Sequence, residues 1–223
     1  MLELAIQWKD FLNPEFYIQH GGLWLFLFIV FAETGLFAGF FLPGDSLLFV
    51  AGIYSNELAT ELLTFNNDVA NLLLLSLLVI GSGVLGNTVG YWFGAASGKY
   101  LFQRKDTFFF KKKHLFAAQE FYDKHGAGAI VFARFLPIIR TFAPIIAGVV
   151  GMDKQRFSLY NIVGCIAWAL IMLFAGHYLY KIFLERFDFN LKEHLEVIVL
   201  GIIFITTAPV ILKLVTGGKK KDN

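Results

Sequence analysis

The chain has 223 residues, 57% hydrophobic, 17% aromatic and only 16% charged, with a formal net charge of +2. A soluble domain of this length carries more charge and interleaves it with apolar residues. Here the charges are bunched between long neutral runs, which excludes a water-soluble globular fold and argues against a nucleic-acid surface.

The N-terminus, "MLELAIQWKDFLNPEF", lacks the basic start and small-residue cleavage site of a signal peptide. Residues 1–20 read as an interfacial segment, with Trp8, Phe11 and Leu12 set against Lys9 and Asp10 in a short helix ending before Pro14. From Phe16 to Asn56 the only charges are Glu33 and Asp45, and Pro43-Gly44 interrupts the run. An acidic loop follows, with Glu57, Glu61 and Asp68 and no base, and then 30 residues without a charge up to Lys99. A helix crosses the hydrocarbon core with ~20 apolar residues, so 69–98 is expected to be a span. Residues 99–125 hold seven Lys and Arg against three acids. Within them "KKKHLFAAQEFYDKH" places Leu115, Ala118 and Tyr122 on one face, as in an amphipathic helix on an anionic membrane surface. From His125 to Met152 the only charges are Arg134 and Arg140, beside Pro137 and Pro144. The neutral run 157–180 is expected to cross the membrane, and so is 194–216, with a basic tail of Lys213, Lys219, Lys220 and Lys221. The single cysteine, Cys165, lies inside a span, so disulfides have no part.

The stretches 22–54 and 126–152 are alike. "FLPGDSLLFVAG" from Phe41 and "FLPIIRTFAPIIAG" from Phe135 both run from Phe-Leu-Pro to Ala-Gly, and a Gly-bearing span follows each: "GNTVGYWFG" from Gly86 and "GCIAWALIMLFAGHYLY" from Gly164. Proline removes a backbone donor and clashes with the preceding turn, so each stretch is expected to be a broken helix. The basic 99–125 segment and the tail belong on the cytoplasmic side and the acidic loop on the outer side. With 157–180 and 194–216 as spans, 126–152 then begins and ends in the cytoplasm and is re-entrant, and 22–54 dips in from outside. The expected architecture is an all-α polytopic membrane protein. It is an inverted repeat of two re-entrant broken-helix hairpins (22–54 within 21–98, 126–152 within 126–180), each followed by a span, with a C-terminal span and interfacial amphipathic helices.

Glu33 and Asp45 on one hairpin would then face Arg134 and Arg140 on the other near the midplane. Each such charge alone costs ~2.5–3.5 kcal/mol on insertion scales, and two acids facing two arginines offset one another. Pro43, Gly44, Pro137 and Pro144 are read as the structural tips. "GDSLL" and "RTFAP" read as helix starts with Asp45 and Thr141 as N-caps. Arg binds two phosphate oxygens through one fork and does not deprotonate, so Arg134 and Arg140, with Thr141, are candidate ligands for a lipid phosphate. Glu33 and Asp45 are candidate proton-coupling groups. Burial favours the neutral carboxyl and a nearby Arg the carboxylate, so both protonation states stay open.

"ETGLFAGFFLPGDSLLFVAG", "GNTVGYWFG" and "RFLPIIRTFAPIIAG" together resemble the DedA family of bacterial membrane proteins, relatives of the SNARE-associated VTT-domain proteins, over roughly Gly21 to Tyr180. The resemblance carries over to Glu33, Asp45, Arg134 and Arg140 as functional charges. It implies a multi-pass protein of the bacterial cytoplasmic membrane that transports lipid, with undecaprenyl phosphate or a phospholipid such as phosphatidylethanolamine as cargo and the proton-motive force as driver. No cofactor and no metal are expected, and the partners expected are a membrane lipid and protons, not nucleic acid.

Plainer roles compete. The four charges could simply lock the hairpins together. Gly86, Gly90 and Gly94 suit a close helix-packing face, Tyr91 and Trp92 interfacial anchoring, Trp168 packing, and His177 a satisfied packing histidine. Gly-rich faces permit a homodimer without requiring one. A lipid phosphatase is disfavoured because no His or Cys sits near the arginines in sequence, so no enzyme activity is expected. A proton-coupled ion or drug exchanger and a membrane scaffold remain rival functions.

Overall fold

A computed structural model describes residues 14–36, 44–103, 120, 122, 128–134, 137–188, 190–195, 198 and 201. Among these, all regular structure is helical. Several sequence expectations lie outside the described residues: residues 1–13, Pro43, Leu115 and Ala118, and nearly all of 194–216 with its basic tail.

Helix α1 runs Pro14–Gly35 and is kinked at Gly22, whose φ of +58° only glycine adopts without strain. The kink exposes a fresh helix start, and Glu61 from the acidic loop caps it: the Leu23 N–H donates to Glu61 Oε2 at 2.9 Å. An acid is favoured there by the partial positive charge of a helix N-terminus. Helix α2 is Gly44–Ile53, and after a break at Tyr54 comes the short α3, Ser55–Thr60. Helix α4, Asp68–Gln103, has 36 residues. At 1.5 Å per residue it is longer than the ~30 Å hydrocarbon core requires. The second half of the chain gives α5 (Gly128–Ala133), α6 (Pro137–Val149) and α7 (Lys154–Phe187). Asp153 caps α7 by accepting from the Arg156 N–H at 2.9 Å, and Asp188 closes it in the left-handed conformation. A 3-10 turn, Leu191–His194, follows. Two helices, at Asp68–Gly98 and Lys154–Phe187, are long and apolar enough to cross a membrane.

Among the described residues each proline-bearing stretch holds two separate helices, α1 and α2 in the first and α5 and α6 in the second. Their packing is an exchange. The first helix of each stretch lies on the long helix that follows it in the chain, α1 on α4 and α5 on α7, whereas the second lies on the other long helix, α2 on α7 and α6 on α4. Glycine makes these crossings close. A Cβ at Gly52 would collide with the Leu173 backbone, and one at Gly148 with the Tyr91 carbonyl. These are the glycines that end the two matching Phe-Leu-Pro…Ala-Gly motifs. On α4, Gly86 meets Gly35 of α1, Gly90 lies between Gly35 and Ile145, and Gly94 and Gly98 meet the Ile145 and Val149 carbonyls of α6.

The larger core joins α1, α2, α4 and α7 around Phe26, Leu47, Leu48, Leu72, Leu75 and Leu173, all buried. Outward-facing Trp24, Phe28, Leu77, Leu85, Leu159 and Ile171 are exposed, as expected of a surface solvated by lipid tails. Trp92 belongs to this outer surface, with Lys154 Nζ 5.5 Å from its ring centroid. Tyr91 does not: it is buried, stacks on Phe157 at 4.3 Å and donates to the Met152 carbonyl. It sits on α4's inner, glycine-lined face, where α6 covers it. Tyr122 is buried as well and donates to the Ala143 carbonyl at 3.0 Å.

Candidate functional site

Helix α1 ends at Gly35, and its last turns bring Glu33 inward, the carboxylate almost fully buried. Helix α2 begins beside it. Gly44 lies so close to the Glu33 carboxylate that any Cβ at 44 would occupy the space the acid fills. Gly44 is therefore a cradle for Glu33 besides a turn residue. Asp45 stands inside the first turn of α2 and not at the N-cap expected of it, because the helix already starts at Gly44, and Arg140 reaches across from α6. One fork of Arg140 spans both acids, Nη1 to Asp45 Oδ1 and Nη2 to Glu33 Oε1. The remaining Glu33 oxygen, Oε2, is buried with no hydrogen-bond partner among the described residues.

The two acids do not divide between the two arginines. Both pair with Arg140, and among the described residues Arg134 pairs with no carboxylate. Arg134 is buried all the same, and neutral groups hold it. Its Nη2 donates to Asn161 Oδ1 at 3.3 Å and faces Cys165 Sγ. Asn87, with its amide turned to satisfy both ends, accepts from the same nitrogen and donates to the Thr34 carbonyl at 2.9 Å. Trp168 ties the two arginines together. Its Nε1 donates to Asp45 Oδ1 at 2.9 Å, and both guanidinium carbons lie 5.3 Å from its ring centroid. This is cation–π distance. Trp168 thus contacts the charges themselves, beyond the packing role expected of it.

Two further expectations are corrected. Thr141 is not an N-cap, because α6 already starts at Pro137, a residue suited to the first helical position. Thr141 is buried one turn inside. Pro144 is not at a tip either; it lies within α6, where it removes the N–H that would bond the Arg140 carbonyl. Asn87, Asn161 and Trp168 are the site residues that sequence reasoning missed. The available signal was an asparagine in each otherwise apolar long helix, since polar groups at such depth mark function or a buried network.

The arrangement holds two guanidinium groups and two carboxylates in one largely buried cluster, with one guanidinium doubly compensated and the other held by amides, a thiol and an indole face. A guanidinium without a paired carboxylate is chemistry suited to an anion, and a carboxylate beside it is chemistry suited to a proton.

A family model described as the VTT domain matches residues 42–178, which includes Asp45, both arginines and Trp168. The chain is 33% identical over 197 residues to protein DedA of Escherichia coli K12, covering 87% of this chain and 84% of the relative. It is 31% identical over 192 residues to the inner membrane protein YqjA of the same strain, covering 82% and 79%. An uncharacterized membrane protein of Mycobacterium tuberculosis H37Rv is 34% identical over 209 residues, covering 91% and 86%. No solved structure matches. On the matched domain, the identity to DedA over most of both chains and the two long apolar helices, this chain belongs to the DedA family of membrane proteins.

Proposed function

We propose that this protein carries a lipid phosphate, with undecaprenyl phosphate as the leading candidate, across the bacterial cytoplasmic membrane, and that the proton gradient drives it. The observation that carries this reading is the buried pair of arginines, Arg140 bound by Glu33 and Asp45 and Arg134 held, among the described residues, by neutral groups. An anionic head group completes Arg134's charge first and then competes with the acids for the Arg140 fork, which suits two phosphate oxygens. Once phosphate takes Arg140, Glu33 and Asp45 are carboxylates without a counter-charge, and a proton neutralises the one it reaches. Release of the proton on the far side restores the ion pair and expels the lipid. The activity is transport, with no bond in the lipid made or broken.

We read α1–α2 and α5–α6 as re-entrant hairpins. Helix α2 has 10 residues and α6 has 13. At ~1.5 Å per residue neither crosses a ~30 Å core.

The test is movement of labelled undecaprenyl phosphate across proteoliposomes, with and without an imposed pH gradient. Arg134→Ala and Arg140→Ala should abolish movement, and Glu33→Gln and Asp45→Asn should lose the gradient dependence. Full gradient-driven movement in both acid variants would exclude the coupling scheme. Movement of phosphatidylethanolamine instead would keep the mechanism and change the cargo. A proton-coupled ion or drug exchanger is the second reading, favoured by the buried Glu33 oxygen that has no partner among the described residues. Ion flux without lipid movement would establish it.

A further inference from the structure

At the acidic-loop end of the bundle, α3, α7, the 3-10 turn and the ends of α2 and α4 line an open cleft of about 340 Å³, the size of a small-molecule site. Its charged lining is Glu57, Asp68 and Glu185 against Lys181 and Lys192, with His177 at its inner wall. Three carboxylates thus meet two ammonium groups. Lys181 lies 3.6 Å from Asp68, and His177 is engaged by Ser55 Oγ at 2.9 Å. Lys192 is seated differently. Its Nζ lies 4.3 Å from the Tyr54 ring centroid, 5.2 Å from that of Tyr180, and 2.6 Å from Glu57 Oε1.

Two aromatic faces and a carboxylate around one nitrogen form the chemistry that recognises an ammonium ion, and quaternary ammonium ligands above all. The turn that delivers Lys192 is built for it. Leu191 and Leu195 are buried on either side, and Asn190 caps the turn by accepting from the Lys192 N–H at 3.1 Å. The lysine side chain is about a quarter exposed at 24% and Glu57 is more than half exposed at 54%, so a ligand can reach both from solvent. We propose that Tyr54, Tyr180 and Glu57 form an ammonium-binding site that Lys192 fills as a tethered stand-in, and that a ligand bearing an ammonium group displaces it into the adjoining cleft. This inference does not depend on the arginine site or on the transport reading.

The probe is tetramethylammonium, with neopentanol as an uncharged, water-soluble analogue of similar bulk, and binding is read by saturation-transfer NMR on the purified protein in detergent. Lys192→Gln empties the cage and should bind tetramethylammonium at least tenfold more tightly than the wild type. Adding Glu57→Gln should erase the gain, and neopentanol should show none. Lys192→Met serves as a second emptied variant, and circular dichroism checks that the helices persist. Equal binding by the wild type and both emptied variants, or an equal gain for neopentanol, would overturn the proposal. Competition in nanodiscs then identifies the source. Displacement by phosphatidylethanolamine but not phosphatidylglycerol assigns the site to a lipid head group, and displacement by free ethanolamine alone assigns it to a soluble amine. Displacement by neither also overturns the proposal.

Discussion

Arg134 and Arg140 look equivalent in the sequence, yet their surroundings make opposite predictions. Arg140→Gln strands two buried carboxylates, and breaking a buried pair from one side costs ~3–5 kcal/mol. Arg134→Gln removes a charge that no described carboxylate balances, so it should cost distinctly less. Melting of the two variants in detergent checks this, with Arg140→Gln expected to melt well below Arg134→Gln. A second prediction joins Gly44 to Glu33. Gly44→Ala drives a methyl into the space of the Glu33 carboxylate and should lower both stability and transport. Adding Glu33→Asp shortens the acid by one methylene and should recover part of the lost stability, in the same melting assay. The four charges were legible in the sequence because each stands in a long neutral run. Their partners were not. An asparagine or tryptophan in an apolar helix does not announce which way it faces, and Trp168 meets Asp45 across 123 positions.

Glycine does two different things in one helix. At Gly94 an added Cβ would strike the Ile145 carbonyl, whereas at Gly81 nothing lies within 4 Å. Gly81→Ala should therefore be neutral or stabilising by roughly 0.5–1 kcal/mol through helix propensity alone. Gly94→Ala should destabilise, because α6 must move off α4. Thermal unfolding of the pair tests the sign of each. The four-residue spacing of Gly86, Gly90 and Gly94 made this packing face readable. The start of α6 was misread for a local reason. "RTFAP" has the composition of a helix start, with a capping residue and a proline close behind, but Pro137 had already opened the helix a turn earlier. Neither propensity nor capping chemistry ranks two such signals in tandem. Only the packing of α6 on α4 does.

At the scale of the whole molecule, each half of the chain buries part of its surface in the other, with α2 against α7 and α6 against α4. A chain cut between Gln103 and Gly128 should yield two pieces that co-purify through a tag on either when made together, and that aggregate when made apart. Recovery of either piece alone as a well-behaved particle would contradict the exchange. The matching motifs were legible in the sequence but the exchange was not, since a similar motif shows that two stretches are alike and not which long helix each one leans on. The exchange also has a consequence for how the protein is made. Asp45 and Arg140 are 95 positions apart, so at ~5–20 residues per second the ribosome needs roughly 5–20 s to supply the arginine after the acid has emerged. For that interval the nascent first half presents two carboxylates to the membrane with their counter-charge still unsynthesised. Placement of α1 and α2 is thus provisional, completed only when α6 arrives, and slowed translation between Gln103 and Gly128 should raise the fraction of chains lost to membrane proteases.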